Sequence, residues 1–197
     1  MGVISNGTTL LDAGALSVAT GAMTLLSTVT ASSSATVSFA SGITSTYKEY
    51  IFKFYDVHPS ADAADLTVNF RDGSSAYDAT KTSSFFWAYH DEADSDTTLN
   101  YASSNDLAQA TGVQPISSNP GNDNDQACSG TLHLFDPAST TFVKHFIATS
   151  NSTEPANYSI NSRAAGYCNV TAAIDGVQFK FESGNIDSGT FKMYGVK

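Results

Sequence analysis

Hydrophobic and polar residues alternate with a period of two over much of this chain, the spacing of strands whose two faces see core and solvent in turn. Ala35-Thr36-Val37-Ser38-Phe39 and Leu66-Thr67-Val68-Asn69-Phe70 each place their large apolar residues on one side. The longest such run is Tyr47 to Val57, where Tyr50, Phe52 and Phe54 alternate against Ile51, Lys53 and Tyr55. Further strands are predicted over Met23 to Thr30, Thr131 to Phe135, Thr141 to Thr149, Gly166 to Thr171, Val177 to Glu182 and Thr190 to Tyr194. Phe85 to Tyr89 is aromatic on both faces, as a central strand would be.

Turn residues separate these runs. Asp136-Pro137-Ala138-Ser139 reads as a tight turn, and Gly184-Asn185 with Ser188-Gly189 punctuates what reads as a final hairpin. Residues 91–126 are rich in Asp, Asn, Ser and Gly and read mostly as loop, with a short helix over Asn105 to Ala110 capped by Ser104. About ten short strands without a strong helix predict an all-β, antiparallel β-sandwich or jelly roll. Residues 1–21 show no clear period and read as an extended N-terminal arm, or else as a disordered tail, ahead of one domain over residues 22–197. Their few apolar residues cannot offset roughly 1–2 kcal/mol of backbone entropy per residue. An ordered arm would therefore lean on another chain, with Leu10, Leu11 and Leu16 as its assembly anchors.

Composition narrows the classes. Only 14% of the 197 residues are charged, so the polar surface is built from Ser, Thr, Asn and Gly, which suits strands and turns better than exposed helices. The net charge of −10 argues against nucleic acid and anionic membrane as partners, since phosphate contacts need Lys and Arg. No apolar run approaches the length of a membrane span. The opening Met1 to Asn6 has neither the basic start nor the apolar core of a leader peptide, so synthesis in a cytoplasm is expected. Cys128 and Cys168 are too few for a disulfide framework and read as small core residues.

Motifs for nucleotide binding, zinc binding or a nucleophile elbow are missing. Asp91, Glu92, Asp94 and Asp96 crowd one loop. As oxygen ligands Asp91, Asp94 and Asp96 are candidates for calcium, although a solvated acidic loop explains them more simply. The same carboxylates beside aromatic strands are the candidates for a glycan-cleaving pair. Gly121 to Gln126 offers a second acidic cluster, read as a turn. His133 and His145 sit on successive strands, facing each other in one register, without a third metal ligand. His90 beside Asp91 is a candidate acid–base pair. Trp87, Tyr89, Tyr101, Tyr158 and Tyr167 offer stacking faces for sugars. Trp87 reads as core, whereas Tyr101 and Tyr158, placed in loops, are the glycan-contact candidates.

Several stretches resemble small virion proteins of marine tailed bacteriophages, cyanophage-like in character. They are Ile4 to Gly14, Phe54-Tyr55-Asp56-Val57-His58-Pro59, Phe135 to Phe142 and the run from Val177 to Val196. The resemblance covers nearly the whole chain and implies a structural protein on the virion exterior, without assigning any catalytic or binding residue. A tail-fibre or baseplate-associated appendage that contacts host surface glycan is the first expectation. A capsid decoration protein is the alternative, and a glycan-cleaving enzyme the third. Either station on the particle implies other virion proteins as partners and a homo-oligomer, with a trimer favoured.

Overall fold

The computed structural model describes residues 22–197 throughout and, within residues 1–21, three short strands. These are β1 (Val3–Ser5), β2 (Thr8–Asp12) and β3 (Ala15–Leu16). The next six strands are β4 (Met23–Ser34), β5 (Val37–Phe39), β6 (Glu49–Pro59), β7 (Leu66–Arg71), β8 (Lys81–Asp91) and β9 (Thr97–Tyr101). The last six are β10 (Gln114–Ser117), β11 (Cys128–Phe135), β12 (Lys144–Thr153), β13 (Tyr158–Cys168), β14 (Gly176–Phe181) and β15 (Ile186–Val196).

All ladders are antiparallel. One sheet has eight strands in the order β4-β15-β6-β11-β12-β13-β8-β9, and the other has four in the order β10-β7-β14-β5. Together they are consistent with a β-sandwich, the class predicted from the alternation. An order of eight against four does not confirm the finer jelly-roll connectivity, which divides its strands more evenly. Strands β1, β2 and β3 form a separate antiparallel sheet, with Leu11 opposite Leu16 and Ile4 opposite Thr9. Where an extended arm was expected, the described strands therefore pair with one another. The side chains of Leu10, Leu11 and Leu16, the expected anchors, lie outside the described residues.

The core forms between the two sheets. On β6 the inward positions Tyr50, Phe52 and Phe54 are buried, and a bulge against β11 then shifts the phase so that Val57 and Pro59 point inward. Asp56 absorbs the extra residue in a left-handed conformation with φ 48°, and its N–H donates to Ser129 Oγ at 2.9 Å. From the small sheet, Phe179 on β14 meets four rings. Its centroid lies 5.9 Å from Phe52, 6.4 Å from Phe54, 6.4 Å from Phe39 and 5.1 Å from Phe191. Phe70 and Phe146 make a second cross-sheet pair at 5.1 Å.

Several expectations need correction. No helix occurs at Asn105 to Ala110. Leu107 N–H donates to Ser83 Oγ and Ala110 makes a bridge to Lys81, so the segment is pinned to β8 as a turn-rich strap. The loop predicted over 91–126 contains two strands, β9 and β10. Strand β8 is next to the edge of the large sheet and not central. The final two strands make no hairpin: β14 belongs to the small sheet and β15 to the large one, so the Gly184 turn crosses between sheets. Ser188-Gly189 lies inside β15 at a register shift against β6, where Gly189 has φ 143° and a Cβ would meet the Val57 backbone at 2.9 Å. Cys128 and Cys168 are buried free thiols, pushed up to about 12 by desolvation.

Because Phe179 links both sheets, Phe179→Ala is expected to cost about 3–5 kcal/mol, the range for a buried aromatic truncated in a packed core. Denaturant unfolding of the two proteins measures it. A loss below about 1 kcal/mol would show that Phe179 is not the central packing residue.

Candidate functional site

The two sheets differ in width, and a cleft follows from that difference. Strand β10, the edge of the small sheet, lies across β12 and β13. Ser150 Oγ donates to the Ile116 carbonyl at 2.8 Å, Ser152 Oγ to the Ser118 carbonyl at 2.6 Å, and Ser118 N–H to Ser162 Oγ at 3.0 Å. The large sheet continues past this edge through β8 and β9. Trp87 and Tyr89 alternate in phase with the buried Phe85, so they stand on the inward side, but at the step where the covering sheet ends.

Two adjoining hollows open there, of about 130 and 420 Å³. They share Trp87, Ser118 and Asn119. The smaller is completed by Tyr89, Glu154, Tyr158 and Ile160, and the larger by Asp65 and the segment from Asn100 to Asn105. The rings of Trp87 and Tyr89 stack at 5.5 Å with 22° between planes, and Tyr158 meets Tyr89 edge-on at 4.8 Å. Tyr158 is the first residue of β13 and pairs across to Asp91, so it is held by the sheet and not by a loop. Tyr101 ends β9, is 58% exposed, and donates its hydroxyl to Asp106 at 2.6 Å. The two tyrosines named from the sequence thus border the two hollows on either side of Trp87. Trp87 itself packs on the core and also lines both hollows, so reading it as core alone is incomplete.

Asp65 is the residue the sequence did not single out. It is 7% exposed and sits just before β7. One carboxylate oxygen accepts the Asn119 N–H at 2.9 Å, and the other accepts Asn105 Nδ2 at 2.8 Å. Desolvation by burial is the main reason its pKa is pushed up to about 6, with the charge of Glu182 adding to it. A buried carboxylate that ties two loops of a cleft has no local sequence signature.

The acidic loop does something else. Asp91 accepts Ser95 Oγ at 2.5 Å, Ser95 N–H at 2.8 Å and Asp96 N–H at 2.9 Å, and these bonds hold its carboxyl down to about 2. Asp96 accepts the Tyr89 hydroxyl at 2.9 Å, and the 94%-exposed Asp94 meets His90 Nε2 at 3.1 Å. The three carboxylates serve three different partners, and no group of three or more His, Cys, Asp or Glu residues converges as a metal site among the described residues. His90 pairs with Asp94 in place of Asp91. His133 lies opposite Ile147 and bonds Glu49 at 2.6 Å, while His145 pairs with Tyr167, so the two histidines do not face each other.

Comparison of this chain with family models, curated proteins and solved structures returns no match. What the geometry defines is an all-β protein with an aromatic cleft at a sheet step.

The Asp65 carboxyl gives a signed pH prediction. Its folded pKa of about 6 exceeds the unfolded 3.8, so folding favours the protonated form. Its contribution is fully present below pH 3.8 and is lost as the pH rises through about 6. Asp65→Asn removes this pH dependence, so relative to the parent it should gain about 1–3 kcal/mol between pH 4 and pH 7, on top of a pH-independent cost for the donor that its Nδ2 cannot accept. Thermal unfolding at both pH values tests this, and an equal difference from the parent at both would contradict it.

Proposed function

We propose that this protein is a non-enzymatic structural and binding protein on the exterior of a tailed-phage particle. In this reading it is a tail-fibre or baseplate-associated appendage whose cleft takes a glycan of the host surface. The observation that carries the binding part is the Trp87, Tyr89 and Tyr158 cluster at the step between the sheets. Sugars lay C–H faces on aromatic rings and turn hydroxyls toward amides and carboxylates, and the rim here supplies Asn100, Asn105, Asn119 and Glu154. The station on a particle rests on the sequence resemblance. The acidic rim and the net charge of −10 favour a neutral sugar over an anionic one.

Exposed apolar residues support assembly with other virion proteins or sister copies. Leu99 is 75% exposed, Phe142 71% and Ile147 41%. A capsid decoration protein would use such surfaces equally, and copy number per particle separates the two stations. Glycan cleavage draws less support, because both oxygens of Asp65 and both of Asp91 are occupied in holding loops.

Binding of the full chain to neutral and to uronic or sialic oligosaccharides tests the reading. Neutral sugars should bind preferentially, and Trp87→Ala should weaken them at least tenfold, about 1.4 kcal/mol. Unchanged affinity in that variant, or no binding to any host-envelope glycan, would overturn it. Antibody labelling of particles should place the protein at the tail.

A further inference from the structure

Lys81, the first residue of β8, is completely buried. Its Nζ donates to Asn69 Oδ1 at 2.5 Å and to the Ala79 carbonyl at 2.7 Å, and lies 3.5 Å from the Thr111 carbonyl. Asn69, on β7, is only 6% exposed. An amine and a carboxamide are thus pressed together out of water, one from each sheet. We propose that Lys81 and Asn69 join in an intramolecular isopeptide bond that staples the small sheet to the large one.

A carbonyl bond of about 1.2 Å places Asn69 Cγ within about 3.7 Å of Nζ. Reacting atoms in a near-attack arrangement stand about 3–3.5 Å apart. The separation leaves attack within reach of a small turn of the Lys81 amine, which donates to the carbonyl oxygen and must aim its lone pair at the carbon instead. The Phe70 N–H donates to the same Oδ1 at 3.0 Å, where negative charge develops as the carbonyl carbon becomes tetrahedral. Asn69 Nδ2, the nitrogen that leaves, donates to the Thr111 carbonyl at 3.1 Å, so one backbone oxygen orients both nitrogens.

The step balances without a co-reactant. Lys81 first gives one ammonium proton to solvent. The Nζ lone pair then forms a bond to Cγ, one Nζ proton passes to Nδ2, the Cγ–Nδ2 bond breaks, and ammonia departs. Burial supplies free amine by lowering Lys81 to about 8. The charged or titratable groups acting on it are Cys168, directly across on β13, and Asp72 and Asp78 in the β7–β8 connection. The Cys168 thiol stays protonated. Lys144 is an internal comparison. It is equally buried and flanks the same cysteine, but its Nζ meets the backbone carbonyls of Phe142 and Val170, which cannot be cleaved this way.

The test is the mass of the folded full chain, incubated above pH 8 and then digested. The expected protein is lighter by one ammonia, and its digest contains a branched peptide joining the Lys81 and Asn69 segments. Asn69→Ala and Lys81→Met should each keep the full mass, and wild-type chain made by peptide synthesis and kept in denaturant so that it never folds should keep it too. A folded wild-type protein of unaltered mass would overturn the proposal. So would ammonia loss that tandem spectra place in a succinimide or at another residue. The wild-type spectrum decides even where a variant fails to fold.

Discussion

A four-stranded sheet cannot cover an eight-stranded one. That mismatch of width governs this molecule, because every inward side chain on the large sheet must meet either the small sheet, a strap of loop, or solvent. Over β6, β11, β12 and β15 the small sheet does the covering, and most of the inward residues are apolar, among them Phe52, Phe54, Leu132, Leu134, Phe146, Ala148, Phe191 and Met193. Beyond β10 the covering ends. The inward face of β8 then carries Trp87 and Tyr89, rings whose polar atoms tolerate a partly wet edge. The cleft is therefore a consequence of sheet size, and its aromatic lining follows from residues that would be core if one more strand lay above them.

The same constraint explains which parts of the fold were legible in the sequence. Strands β6 and β7 were plain because their inward positions are large and apolar. The first half of β13 was not, because its inward residues include Ser162 and Ala164. Ser150, Ser152 and Ser162 are buried, yet they read as surface residues, since nothing local reveals that their hydroxyls bond to the backbone at β10 and Ser118. Strands β9 and β10 were hidden for a related reason. β9 is an edge strand with mostly exposed side chains, and β10 contains a proline, which edge strands accept. In sequence the crossing at Gly184 reads as a hairpin because turn chemistry is local, whereas the choice of sheet is settled by packing.

The site was half legible for similar reasons. Aromatic residues announce themselves, so Tyr101 and Tyr158 are legible in the sequence, although Tyr158 is held by a strand and not a loop. Asp65 carries no such signal, because its role depends on Asn105 and Asn119, 40 and 54 residues away. The buried Lys81 and Lys144 were likewise invisible. In sequence a lysine at the end of a strand reads as solvated; Asn69 Oδ1 with the carbonyls of Ala79 and Thr111 makes burial tolerable for Lys81, and the carbonyls of Phe142 and Val170 do so for Lys144.

The acidic residues bear on the proposed reading, in which the cleft holds a sugar without breaking it. Hydrolysis requires a carboxylic acid whose proton can reach a leaving oxygen, and a second carboxylate free to act as base or nucleophile. Asp65 has the raised pKa that a general acid needs, but it sits beneath the loops, with one oxygen on a backbone N–H and the other on an amide. Asp91 has the opposite fault, being stabilised as the anion by the turn it closes. Glu154 borders the smaller hollow, and one of its oxygens caps the Ala156 N–H at 2.7 Å. Asp65 thus ties two loops of the cleft, and Asp91 closes the turn between β8 and β9. In the proposed reading Asp65 holds the loops of the cleft while the second oxygen of Glu154 stays open to a ligand hydroxyl, and a cleft held in one shape loses less conformational freedom when a ligand settles into it.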